Sequence, residues 1–217
     1  MQEANSHNHG IDRRNEILDA AEAVFSERGY AATTIELVAE RAKIAKGSIY
    51  NYFDSKRALF ISVFTRTISR QDAAALAVID SPAPAGSRVE GLLDFWFARL
   101  GQSRAMTQLG MEFWATAARE DSAGELTRTF NQLYSQWRDR LSGLFEQGVR
   151  SGEFAPNLNT LAAASLMLAI LDGIEVQSAV GLGVVVDAEL ITSLKAAALA
   201  ALKAGPGQPT AKQELHS

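Results

Sequence analysis

Proline placement most limits what this chain can fold into. Its five prolines are Pro82, Pro84, Pro156, Pro206 and Pro209, and each stands where the helical spacing of apolar residues also stops. Proline lacks a backbone N–H and clashes inside a helix, so long proline-free stretches with a 3.6-residue apolar period read as helices. Nearly everything between Asp12 and Lys203 reads this way. Period-two alternation is confined to "GLGVVV" at 181–186, and no internal repeat is present. The expected fold class is all-α.

The helices can be placed from their punctuation. Ile17, Leu18, Ala21, Val24 and Phe25 form one apolar stripe that stops at "RGY", residues 28–30, where Gly29 can take a left-handed conformation. Thr33 opens a short helix, with Thr33-x-x-Glu36 matching a capping box, and this helix ends near Ala42. A turn over Lys43 to Lys46 leads into a third helix through Gly47-Ser48-Ile49-Tyr50. Asp54 and Ser55 can cap a long fourth helix, from about Lys56 to Asp80. Beyond "SPAPAG" the pattern predicts helices over about 87–101, 103–119, 122–150, 158–178 and 187–203. The polar ends, 1–11 and 204–217, read as disordered by composition.

Composition narrows the function. A chain of 217 residues, 47% hydrophobic and 21% charged, can bury one substantial core. It has no cysteine, and its histidines, His7, His9 and His216, lie near its ends. Disulfides and thiolate–metal sites are excluded, and a His-based catalytic or metal centre is not expected. No catalytic residue, metal ligand or cofactor is assigned. The N-terminus lacks the apolar core of a secretory signal. The longest nearly unbroken apolar run, Leu161 to Leu171, is too short to cross a bilayer. A cytoplasmic protein without membrane association is expected.

The segment "IAKGSIYNYFDSK", residues 44–56, is the one that a plain helical core does not explain. A short helix, a tight turn and a second short helix form a helix-turn-helix, whose second helix enters the major groove. Lys46 and Lys56 can then neutralise phosphates, Gly47 permits close backbone approach, and the hydroxyls of Tyr50 and Tyr52 can donate to phosphate oxygens. Asn51 can pair with adenine, while Ile49 and Phe53 read as core. Residues 43–57 carry four cations (Lys43, Lys46, Lys56, Arg57) and one acid (Asp54), whereas residues 11–60 carry eight of each sign. That charge pattern fits a focused contact face on a chain of net charge -4. On spacing alone, the same residues also suit an ordinary solvated helix pair.

The stretch "GYAATTIELVAERAKIAKGSIYNYFDSKRALF", residues 29–60, resembles the DNA-binding domain of the tetracycline-repressor (TetR) family of bacterial regulators. The resemblance lies in Gly29-Tyr30 before the paired threonines, Val38-Ala39, the run Lys46 to Tyr50, Tyr52-Phe53, and Lys56 before Leu59-Phe60. It implies DNA contacts at Thr33 or Thr34, Lys46, Gly47, Ser48, Tyr50, Tyr52 and Lys56. Two departures stand out. Lys43 occupies a turn position where the family usually has glycine, at a cost of about 1 kcal/mol if the left-handed conformation is kept. Ala45 replaces a usual Ser or Thr, with loss of a helix cap worth roughly 1 kcal/mol.

All three tryptophans lie in the segment 87–150. Trp96, Met111, Trp114, Phe130, Tyr134 and Trp137 can either fill a helical core or wall a small-molecule pocket; the resemblance favours a pocket for an inducer. The run from Leu161 to Leu171 has no polar face and needs cover on both sides. With the last helix it suits a four-helix dimer interface, the arrangement the resemblance implies, with Leu166, Ile170, Ile174, Leu194 and Leu199 as candidate contacts.

The expected organisation is therefore a helix-turn-helix DNA-binding domain over 12–58, the motif itself at about 33–53. A ligand-binding and dimerisation domain follows over 59–203, entered by a linking helix at about 56–80. The expected function is a homodimeric repressor that a small apolar or aromatic ligand releases from a palindromic operator, acting through the linking helix. The rival readings are a helical scaffold, a small-molecule-binding protein or an enzyme, none of which binds DNA.

Overall fold

The computed structural model describes residues 2–100, 104–119, 124–182 and 187–204. Among them are nine helices and no strand: α1 (Gln2–Ala32), α2 (Ile35–Ala42), α3 (Lys46–Tyr50), α4 (Lys56–Ile79), α5 (Ala85–Arg99), α6 (Arg104–Ala117), α7 (Glu125–Ser151), α8 (Thr160–Val180) and α9 (Ala188–Ala204). The all-α class and the positions of the breaks agree with the sequence. α1 starts at Gln2, inside the segment whose polarity reads as a tail. The apparent strand pattern falls partly on residues 183–186, and the C-terminal tail on 205–217, both outside the described residues.

The helices form two compact units, Met1–Leu76 with Gly101–Asn131 and Ala77–Leu100 with Gln132–Ser217. In the first, α1 packs on α2 and α6, and α2 on α3. The predicted stripe of α1 is its buried face, with Ile17, Leu18, Ala21, Val24 and Phe25 all at 2% exposure or less. The centre is a run of aromatic rings. Phe113 of α6 stacks between Phe60 and Phe64 of α4, with centroids 3.9 and 4.0 Å away, and Phe25 and Phe130 extend the cluster. Offset and edge-on ring contacts of this kind add to the hydrophobic gain from burial. On the flank, the Arg66 guanidinium of α4 reaches Asp19 and Glu22 of α1 at 2.9 and 2.8 Å.

In the second unit, α5 packs against α9, and Lys195 of α9 pairs with Asp94 of α5 at 2.6 Å. The start of α5 has no side-chain cap of its own. Glu153, just past α7, supplies one from a distance: its carboxylate accepts from the amides of Ala85 and Gly86 at 3.0 and 2.9 Å. Such a carboxylate satisfies orphan N–H groups and complements the helix dipole. Phe154 then packs on Gly148 of α7, where any side chain would collide with its ring. Arg88 is buried and donates to the Ile79 carbonyl and to Gln147 Oε1.

α8 differs from what its eleven-residue apolar run implied. At 21 residues it is long and apolar enough to cross a membrane by length and composition, although Asp172 and Glu175 interrupt its second half. Only Ala164 and Met167 of this helix are buried, and Leu161, Leu166, Ile170 and Val180 face outward.

The amide of Gly86 foremost, then those of Ala85 and the Ser151 hydroxyl, hold the Glu153 carboxyl below its ordinary range. Stability from this group is therefore complete above the unfolded pKa of about 4.3 and fades as pH falls through the lower folded value. Glu153→Gln should lower the thermal midpoint at pH 7, with the difference from wild type closing in scans below about pH 4.

Candidate nucleic-acid interface

The geometry of the helix-turn-helix begins at Gly29, where α1 breaks with φ 76° and ψ 171°. The chain can turn there because glycine adopts positive φ without steric cost. A second reason is a neighbour: a Cβ at Gly29 would lie 2.6 Å from Oε1 of Glu112 on α6. The Glu112 carboxylate lies against this glycine and accepts the amide proton of Tyr30. From the other side, the Lys56 ammonium at the start of α4 donates to the carbonyls of Tyr30 and Thr33 at 2.8 and 2.9 Å. It also lies 4.4 Å from the centroid of the Tyr30 ring.

These contacts revise two expectations. Thr33 is buried, and its hydroxyl donates to the Gly29 carbonyl at 2.7 Å. Thr34 is the residue that caps α2, accepting from the Leu37 amide at 3.3 Å. Of the two threonines, Thr34 is the exposed one, and the capping box read from Thr33 and Glu36 is not formed. Lys56 directs its donors, in the single chain, at backbone carbonyls of the α1–α2 connection.

Both departures from the family pattern appear in the geometry. Lys43 ends α2 at φ 55° and ψ 43°, the one non-glycine with positive φ among the described residues. The Ile44 amide reaches back to the Ala39 carbonyl at 3.0 Å, closing a Schellman turn. Ala45 stands at the N-cap of α3 without a side-chain hydrogen bond. The five residues of α3 are too few to be stable alone; Ile49, fully buried, and Phe53 anchor them.

That anchoring leaves Lys46, Gly47, Tyr50 and Asn51 exposed, with Ser48 and Tyr52 half-buried beside them. Seven of the nine candidate DNA contacts, Thr34 and the six just named, thus offer some surface around α3. Lys46 forms an ion pair with Glu36 of α2 and has its ammonium 5.9 Å from the Tyr50 ring centroid. The hydrogen bond from Lys46 is the main reason that the Glu36 carboxyl titrates below its usual range, and it raises Lys46 in turn. Arg41 is held in a two-pronged pair by Glu27. Glu36, Glu112 and the Lys56 clamp were not legible as a set, because each joins residues far apart in the chain.

The six candidate ligand residues divide between the units. Phe130 is buried in the ring cluster of the first, where Met111 and Trp114 are half-buried on α6. In the second, Trp96 of α5 and Trp137 of α7 lie 5.7 Å apart at 59°. One turn before Trp137, the Tyr134 hydroxyl donates to Asp172 of α8 at 2.8 Å. Burial raises the Asp172 pKa to about 6; the Tyr134 bond opposes that shift and nearby Glu175 adds to it. Glu112 thus fastens backbone in the first unit, and Asp172 is bonded to Tyr134 in the second.

Comparison with known proteins decides the family. Residues 17–63 match the model of the bacterial regulatory proteins of the tetR family, and residues 85–203, more than half of the chain, match the C-terminal domain of BetI-type transcriptional repressors. The chain belongs to the TetR family. Its relatives include the uncharacterized HTH-type transcriptional regulator YhgD of Bacillus subtilis, 30% identical over 146 residues, 67% of this chain and 74% of that protein. The HTH-type transcriptional repressor KstR2 of Mycobacterium tuberculosis is 29% identical over 147 residues, 68% of this chain and 72% of the relative. The fold matches a TetR transcription regulator from Haloarcula marismortui with a TM-score of 0.74 at 21% identity, over 89% of this chain and 98% of that one. It also matches the fatty acid degradation regulator FadR of Bacillus halodurans with a TM-score of 0.70 at 22% identity, over 88% and 94%. As a TetR-family protein the chain is a DNA-binding transcriptional regulator.

Two outcomes follow from the geometry. Lys56→Met keeps the aliphatic stem but leaves the Tyr30 and Thr33 carbonyls without their cation, which should cost about 2–3 kcal/mol of stability in urea unfolding. The same variant should weaken DNA binding while leaving its salt slope unchanged, unlike the loss of a phosphate contact, which flattens the slope by about one. For Asp172, raised above its unfolded pKa of about 3.9, ionisation disfavours the fold as pH rises through that window. Asp172→Asn should therefore unfold at a higher temperature than wild type at pH 7–8, with the gain vanishing below about pH 4.

Proposed function

We propose that this chain is a homodimeric repressor that binds an inverted-repeat operator through α2 and α3 and is released by a small ligand. The functional division follows the sequence: 12–58 contacts DNA, and 59–203 binds ligand and pairs the subunits. The observation that carries the dimer is α8. Leu166 is 61% exposed and Ile170 47% in the single chain, a degree of exposure that marks an association surface when the side chains are contiguous and apolar. Ile174 of α8 and Leu194 and Leu199 of α9 are half-buried and are assigned to the same interface. A twofold protein reads a twofold site, with half-sites one helical turn or a multiple apart.

DNA contacts are assigned to Thr34, Lys46, Gly47, Ser48, Tyr50, Asn51 and Tyr52, with Lys56 and Thr33 setting the connection that presents them. The ligand is assigned to the region of Trp96, Tyr134 and Trp137, whose rings and hydroxyl suit an apolar or aromatic small molecule with one polar group. The transcriptional regulator FadR of Bacillus subtilis, 22% identical to this chain, was solved in complex with stearoyl-CoA, a ligand with a long apolar part. No catalytic chemistry is part of this reading, and the expected location is the cytoplasm, where the operator is. Ligand and operator should oppose each other by the same factor, since coupling between two binding sites is reciprocal and typically about 1–3 kcal/mol.

Fragments selected from the source genome for binding should share a palindrome. The wild type should sediment as a dimer at micromolar concentration. Ile170→Glu should shift it to monomer, because an unpaired charge in an apolar interface costs several kcal/mol, and should reduce binding to the full palindrome. A wild type that is monomeric, and bound to one half-site only, would remove the dimer from this reading.

A further inference from the structure

We propose that Glu36 is an internal competitor for the phosphate that Lys46 binds, so that DNA engagement exchanges one ion pair within the protein for one with DNA. The inference rests on the reading of α2 and α3 as the DNA-contact face. Glu36 is the second residue of α2 and Lys46 the first of α3. Their ion pair spans the two helices of the motif on an exposed face, with side chains 60% and 50% accessible. Lys46 is thus the cation best placed for a phosphate at the start of α3, and it is already partnered.

The exchange is feasible because Glu36 does not become unsupported when Lys46 leaves. Glu36 lies in the first turn of α2, the end of the helix dipole that favours negative charge, and its carboxylate is exposed to water. Lys46 gains a phosphate, to which a lysine binds as a compact point charge. Exposed ion pairs are worth little, so a phosphate can displace Glu36 at small cost. Two other cations of the motif are engaged within the protein. Arg41 is neutralised by Glu27, and the three ammonium donors of Lys56 face carbonyls of Tyr30, Ala31 and Thr33. Cations already engaged within the protein attract random DNA weakly, since non-specific affinity comes almost wholly from phosphate neutralisation.

The test uses the full-length protein and a mixed-sequence duplex, read by fluorescence anisotropy over a series of salt concentrations starting from low salt, with Glu36→Gln, Lys46→Gln and the double variant. Both side chains are exposed, so the fold should survive; Glu36→Ala serves as a second variant should the glutamine protein fail to fold. Glu36→Gln is expected to tighten binding about twofold to fivefold, the range set by an exposed ion pair, and to steepen the salt slope by up to about 0.9. In the Lys46→Gln background the same change should give no gain. Unchanged affinity in Glu36→Gln, or an equal gain with Lys46 absent, would overturn the exchange, the second by showing only a general repulsion of acid from DNA. A wild type that fails to bind any duplex at low salt would sink the DNA reading itself, and this inference with it.

Discussion

The connection from Gly29 to Thr34 depends on two side chains from elsewhere in the chain. It leaves α1 at a glycine and enters α2 at its cap, so several of its backbone groups lack a helical partner. Glu112 takes one amide, and Lys56 takes two carbonyls at hydrogen-bonding distance. An unpaired backbone group away from water costs as much as a lost hydrogen bond, so these two ions determine whether the connection has one conformation. Everything that presents α3 follows from it: the cap at Thr34, the direction of α2, and the depth at which Ile49 is anchored.

The same α6 that carries Glu112 carries Phe113, one residue on, between the rings of Phe60 and Phe64. Polar and apolar fastening are thus adjacent on one helix, the first acting on α1 and the second on α4. The helix-turn-helix is not a free-standing three-helix module within this unit; α6 completes its core. A motif of one eight-residue and one five-residue helix buries little surface by itself, and domains this small are marginal without added support.

The legibility of the fold and of the site differs for a physical reason. Helix positions follow from local periodicity and from glycine and proline, which act on their own neighbourhood, so α5 to α9 fall within a few residues of expectation. The left-handed turn at Lys43 and the missing cap at Ala45 were legible only through the family resemblance, as departures from its usual residues. Contacts across the chain were not. Nothing local in the sequence says that the fold sets Glu112 against Gly29 or Lys56 against the carbonyls of Tyr30 and Thr33. The choice between Thr33 and Thr34 depended on a single residue of register at the start of α2, which a pair of identical residues cannot show. The aromatic residues were legible as a group but not by role, because ring size and helical spacing are the same in a core and in a binding site.

The division of the tryptophans has an optical consequence. Trp114 belongs to the unit that holds the helix-turn-helix, and Trp96 and Trp137 to the unit that holds α8 and α9. At 5.7 Å the latter two indoles are close enough for their excited states to couple, giving a paired circular-dichroism band that an isolated indole lacks. The coupled band is therefore a native signal of the second unit alone, whereas emission sums all three indoles. Loss of that band during denaturation follows the packing of the second unit without any label.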